Sequence, residues 1–240
     1  MRSTVPPLLA EVRRRFAALA DPVRAAQMQA YMKSAMPYHG VPMPVVRREA
    51  RAAFADLHFE SFAALREEVR GLWFGATHRE ERYAALALLR ARGNQRFVTA
   101  EALPLDEELI STGAWWDLVD EVATHQVHPL LARERAPAVK ALRRWSRGTD
   151  LWLRRAAIIC QVQAGALTDV ELLFELIEPA VEEKEFFLRK AIGWALRSLG
   201  PWNPGAVVSW LDDHVDRASG LTVREAQKGL DPKRRRGSPR

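Results

Sequence analysis

Three short stretches of the chain carry groups that could do chemistry together. In Ala114-Trp115-Trp116-Asp117-Leu118-Val119-Asp120-Glu121, Trp116 and Asp120 stand four residues apart. On a helix that spacing places them on one face. Leu118, Val119, Val122 and Trp115 can supply the buried stripe, which leaves an aromatic plate beside a carboxylate on the flank. A core tryptophan with a solvated aspartate is the plain alternative. In Leu151-Trp152-Leu153-Arg154-Arg155-Ala156-Ala157-Ile158-Ile159, Arg155 shares a helical stripe with Leu151, Ile158, Ile159 and Val162. An arginine in a core register must snorkel or find an anion. Its forked, permanently charged head suits a phosphate, and a carboxylate on a neighbouring helix would serve equally well. In Glu185–Arg197, Phe187 and Trp194 lie seven apart on one face, with Lys190 four before Trp194. Gly193 costs about 1 kcal/mol relative to alanine inside a helix, which is tolerable if something approaches closely. An aromatic core stripe is the alternative here.

Weaker candidates surround these. His125 and His128, with Asp117 and Glu121, offer metal-ligating groups. A helical metal site usually sets its histidines at i, i+4, so a solvated polar face is expected and no metal. The sequence contains no glycine-rich phosphate loop, no Walker motif and no G-x-S-x-G elbow.

The elements that position these groups read as helices nearly throughout. Leu, Ala, Arg and Glu dominate, and alternating β-type runs are scarce. Asp21-Pro22 is an N-cap followed by proline, opening a helix to about Met36. The stretch Met36–Pro44 breaks it. Further helices are expected over Val45–Leu57, Glu60–Trp73, Arg79–Arg92, Ala114–Leu131, Ala136–Ser146, Asp150–Ala164, Asp169–Val181, Lys184–Leu199, Pro204–Val215 and Thr222–Gly229. A helix pair recurs about every 35–40 residues, the period of helical solenoids. The expected fold is all-α, a right-handed superhelix of HEAT-like antiparallel helix pairs, as one domain over 1–230. A compact irregular bundle is the alternative.

Composition narrows the class. The chain has 240 residues, 48% hydrophobic and 28% charged, so wholesale disorder is excluded. One cysteine, Cys160, excludes an intramolecular disulfide framework and a cysteine-rich zinc site. The longest uncharged stretch, Ser198–Leu211, carries two prolines and falls short of the roughly 20 residues a membrane span needs. A cytoplasmic, nucleoid-associated protein is expected, without a membrane contact. The net charge is +6, but +4 of it sits in residues 231–240, read as a basic disordered tail.

Taken in order along the chain, these motifs resemble the AlkD-like DNA alkylation repair glycosylases. The resemblance runs from about Ala26 to Leu230. It rests on Tyr31-Met32-Lys33, the Met36–Val41 loop, Arg79-Glu80-Glu81-Arg82-Tyr83-Ala84-Ala85 and the three stretches above, and continues to Thr222-Val223-Arg224-Glu225-Ala226. It implies helical repeats around duplex DNA and hydrolysis of the N-glycosidic bond of purines made cationic by alkylation at N3 or N7. Carried over, the catalytic cleft maps onto Trp116, Asp120, Arg155 and Trp194. Asp120 would stabilise the oxocarbenium-like sugar and orient water, the two indoles would face the cationic lesion, and Arg155 would grip a phosphate beside it. Tyr31, Lys33, Arg154, Phe187 and Lys190 would contact DNA. The implied protein acts as a monomer without a cofactor, on a lesion still stacked in the duplex, so no deep nucleobase pocket is expected beside Asp120. The rival class is a non-catalytic helical scaffold that binds DNA or protein through a concave face.

Overall fold

The computed structural model describes residues 7–231. Among them the chain forms fourteen α-helices and no strand, as the periodicity predicts. Contacts gather into two compact units, Met1–Ala102 and Leu103–Arg240, each with its own core, where the sequence reads as one domain over 1–230. Of the expected basic tail, all but Asp231 lies outside the described residues.

The first unit holds α1 (Pro7–Ala17), α2 (Pro22–Met32), α3 (Met43–Ala53), α4 (Phe62–Gly75) and α5 (Arg79–Arg90). The sequence reading omits α1, whose run Arg13-Arg14-Arg15 resembles a solvated start. Leu9, Val12 and Phe16 are nonetheless buried, at the three- and four-residue spacing of an amphipathic helix. The Asp21 cap is as predicted: its side chain accepts from the Arg24 N–H at 3.0 Å, with Pro22 in the first turn. The helix stops at Met32, short of the expected Met36, because Lys33 turns left-handed at φ 49°.

Glu80 and Glu81 explain their motif in structural terms. Glu80 is fully buried and accepts the backbone N–H groups of His39, Gly40 and Val41 at 2.9–3.0 Å. The broken Met36–Val41 loop thus gains from a side chain the partners that no helix gives it.

The second unit holds α6 (Leu103–Gly113), α7 (Trp116–Val122), α8 (His128–Arg133), α9 (Arg135–Arg147), α10 (Leu151–Ile159), α11 (Val170–Ile177), α12 (Phe186–Leu199), α13 (Pro204–Asp213) and α14 (Gly220–Leu230). Here too one helix escapes the sequence reading. In α6 the run Asp106-Glu107-Glu108 masks a stripe of Leu105, Leu109 and Ile110, all buried. Asp106 is itself buried, and that burial pushes its carboxyl well above the ordinary aspartate value.

The helix expected over Ala114–Leu131 is three pieces. A π turn, Ala123–Val127, separates α7 from α8. Pro129 has no N–H to return to the preceding turn, and the wider turn absorbs the defect, with the His128 N–H reaching back to the Ala123 carbonyl. Asp120 therefore sits one turn before a helical irregularity, a frequent place for functional groups.

Gly193 has the close neighbour its position suggests. A Cβ there would meet the Glu225 Cβ at 2.5 Å and the Thr222 carbonyl at 3.1 Å. At Gly229 a Cβ would meet the Arg197 carbonyl at 2.3 Å. Missing side chains on both helices let α14 lie against α12 at near-backbone distance, and this seam fixes what α12 presents elsewhere.

Candidate active site

Asp120 and Arg155 meet. The guanidinium donates from Nε to Asp120 Oδ1 at 2.8 Å and from Nη2 to Oδ2 at 2.9 Å, a two-point fork. Its Nη1 donates to the Phe187 carbonyl at 2.9 Å. Three helices, α7, α10 and α12, are thus joined at one guanidinium. The Arg155 side chain is 6% exposed and that of Asp120 is 16% exposed, so the acid stays partly open to solvent while the guanidinium is enclosed. Burial raises the Asp120 carboxyl above its ordinary value. Arg155 opposes that rise and the nearby Asp117 adds to it.

The phosphate role expected for Arg155 is not what its fork does in the free chain. Its fork is spent on a neighbouring-helix carboxylate, the alternative that its core register left open. The register itself is as read, since Arg155, Ile158 and Ile159 are buried together. The arginine holds Asp120 in one orientation and balances its charge.

A ring cluster includes Phe187, whose carbonyl meets Arg155. Trp115 lies 5.9 Å from Trp152 and 5.4 Å from Phe187 between ring centroids, and Trp152 lies 4.9 Å from Phe187. Phe186 packs edge-on against Phe187 at 5.4 Å. Offset and edge-to-face contacts of this kind add to simple burial. Phe187, expected on DNA, is half-buried in this cluster, and its carbonyl accepts from Arg155. That contribution comes from the backbone and has no letter in the sequence. Trp115 and Trp152, also missed as site residues, were detectable as aromatics flanking the two functional stretches.

Trp116 is half-buried and opens α7 one turn before Asp120, so the expected pairing on one face holds. Trp194 is half-buried on α12, on the same face as Phe187, two turns further along. The structure therefore binds Asp120 to Arg155 directly, sets Trp116 on the adjacent turn, and carries Trp194 on the helix whose first turn receives Arg155.

The residues expected on DNA are otherwise placed as follows. Tyr31 is 80% exposed and Lys33 is exposed at the end of α2, both in the first unit. Arg154 donates to Glu183 at 2.7 Å and to the Pro179 carbonyl at 3.0 Å, and its side chain is 14% exposed; its head is committed within the protein. Lys190 pairs with Glu225 at 3.1 Å.

His125 stands 3.8 Å from Glu121. Among the described residues, the one cluster with ligand-like spacing is His39, His78 and Glu81. Its carboxylate is already engaged: Arg13 donates to both oxygens at 2.9 and 3.0 Å, the Thr77 N–H donates at 2.7 Å, and His39 lies at 3.1 Å. The two imidazoles stack at 3.8 Å with 16° between planes, so their in-plane lone pairs run side by side and do not converge. The cluster locks α1 and the Met36–Val41 loop to α5 and does not suit a metal.

An all-helical chain with an acid held by an arginine beside half-buried indoles is the setting in which the comparisons with known proteins fall. The family model described as DNA alkylation repair enzyme matches residues 12–230, and the chain belongs to that family. A solved structure described as a predicted DNA alkylation repair enzyme from Enterococcus faecalis is similar to it, with 29% sequence identity and a TM-score of 0.79, covering 89% of this chain and 97% of that one. No curated protein matches the chain.

Proposed function

We propose that this protein is a DNA glycosylase that hydrolyses the N-glycosidic bond of cationic alkylated purines, N3-methyladenine and N7-methylguanine, in duplex DNA. The observation that carries this reading is the Asp120–Arg155 fork: an acid kept in one orientation, still partly exposed, next to Trp116.

The chemistry follows from the substrate's charge. In the alkylated purine the glycosidic bonding pair leaves with the base and neutralises its ring, so the departing group needs no strong acid. The cost lies at C1′, where positive charge develops. A fixed carboxylate stabilises that charge without reorganising at the moment of reaction. Water adds to C1′, and its proton passes toward the carboxylate and then to solvent. Trp116 and Trp194 offer π faces to the cationic base and sugar, with a desolvated cation–π contact worth about 2 kcal/mol. No step calls for a metal or organic cofactor.

Among the described residues no helix is long and apolar enough to cross a membrane. The reading places it, as a monomer, on chromosomal DNA in the cytoplasm.

The test is direct. Purified protein incubated with duplex DNA containing N3-methyladenine or N7-methylguanine releases the free methylated purine and leaves an equal amount of abasic sites. Retained duplex binding with no released base would favour the scaffold reading and sink this one.

A further inference from the structure

On α12, Trp194 is bracketed by Lys190 four residues before it and Arg197 three residues after it, the spacings at which helix side chains are neighbours. Both cations reach the same acid on α14. Lys190 Nζ lies 3.1 Å from Glu225 Oε1, Arg197 Nη1 lies 2.7 Å from Oε2, and Lys228 Nζ lies 2.5 Å from Oε1. One carboxylate thus tethers three cations and leaves two positive charges unbalanced.

The tether is buried and the cations are not. The Glu225 side chain is 6% exposed, against 42% for Lys190, 29% for Arg197 and 50% for Lys228. Glu225 can take that position because Gly193, the residue before Trp194, has no side chain to hold α14 away. The like charges repel one another, so the arrangement is held by the carboxylate and by the seam between the helices. Cations already gathered, partly desolvated and open on one side need little reordering to receive an anion. Two ammonium groups and a guanidinium match adjacent phosphate oxygens.

We propose that Lys190, Arg197 and Lys228, gathered on Glu225, form a cradle for the phosphodiester backbone of duplex DNA next to Trp194. The inference rests on the DNA-repair reading above and gives it the backbone contact that Arg155, turned inward to Asp120, does not supply.

Binding of a fluorescently labelled, unmodified duplex, measured by anisotropy across a salt series, tests it. Each phosphate contact contributes roughly 0.9 to the log–log salt slope. Lys228→Gln should therefore lower the slope by about 1, and Lys190→Gln/Lys228→Gln by about 2. Arg217→Gln is the charge control: its head is paired with Glu178 and Glu182, and it should leave the slope unchanged. Equal losses in Lys228→Gln and Arg217→Gln, or no loss in either, would overturn the cradle. If circular dichroism shows the double variant unfolded, Lys228→Gln carries the test, since that side chain is half exposed.

Inorganic phosphate alone, followed by calorimetry, should give no saturable binding. A tight phosphate site lost in the lysine variants would replace the duplex with a small anion and overturn the proposal. The two readings fail separately, because the salt slope needs no lesion. Base release with unmoved slopes removes the cradle alone, and lowered slopes without base release remove the glycosylase alone.

Discussion

Asp120→Asn lowers the rate of base release by about 10²–10³, the range lost when one fixed electrostatic stabiliser of a developing charge is removed. Asparagine keeps the shape of the side chain and can still accept one hydrogen bond from Arg155. It cannot offset positive charge at C1′. The change also leaves the buried guanidinium without its counter-charge, so the site meets a cationic sugar with a net positive field. Both effects act in the transition state, and kcat and kcat/KM should fall together. Affinity for an unmodified duplex should stay within about twofold, because a near-isosteric change in a mostly buried side chain alters little of the surface that meets phosphates. Single-turnover release of N7-methylguanine, run beside duplex binding, separates the two. A full-rate Asp120→Asn would remove the carboxylate from the mechanism.

Arg155→Met has its largest effect on stability. Breaking a buried ion pair from one side typically costs about 3–5 kcal/mol, since the remaining charge is left uncompensated. For a chain of this size that corresponds to a fall in Tm of roughly 10 °C. The sign of its pH dependence is fixed by the same pair. Burial already raises the Asp120 carboxyl, and Arg155 is what opposes it. Without the arginine the folded-state value climbs further, so the folded protein binds a proton that the unfolded chain has released. The penalty is therefore full at neutral pH and shrinks as pH falls through the raised value toward that of a free aspartate. Melting curves of the variant and the parent in neutral and mildly acidic buffer should converge on the acid side. Any residual base release in Arg155→Met should show an acid limb moved to higher pH. A constant difference in Tm across that range would mean that Arg155 stabilises the fold through packing alone.

Much of this arrangement was legible in the letters, for identifiable reasons. Trp116 and Asp120 are local in sequence, and helix geometry alone puts them on one face. Arg155 announced itself as a charge in an apolar register. Which anion it meets was not readable, because the choice between Asp120 and a phosphate depends on how α7 and α10 pack, 35 residues apart. The Phe187 carbonyl was invisible, since every residue has one. Two helices are hidden for a compositional reason: the arginines of α1 and the acids of α6 outweigh three large buried apolar side chains in each, at helical spacing. The π turn was hidden by a helix-forming sequence on both sides of Pro129. Gly193 carried a true signal, and its neighbour came from 32 residues downstream.

Whether Asp120 and Arg155 work as one unit is measured by a double-mutant cycle. Rates of methylated-purine release are compared for the parent, Asp120→Asn, Arg155→Met and the double variant, at a temperature where all four are folded. If Arg155 acts through Asp120, the double variant is no slower than Asp120→Asn alone. Losses that multiply, leaving the double variant slower by the product of the two single effects, would show the arginine acting independently and contradict the pairing as the core of the site.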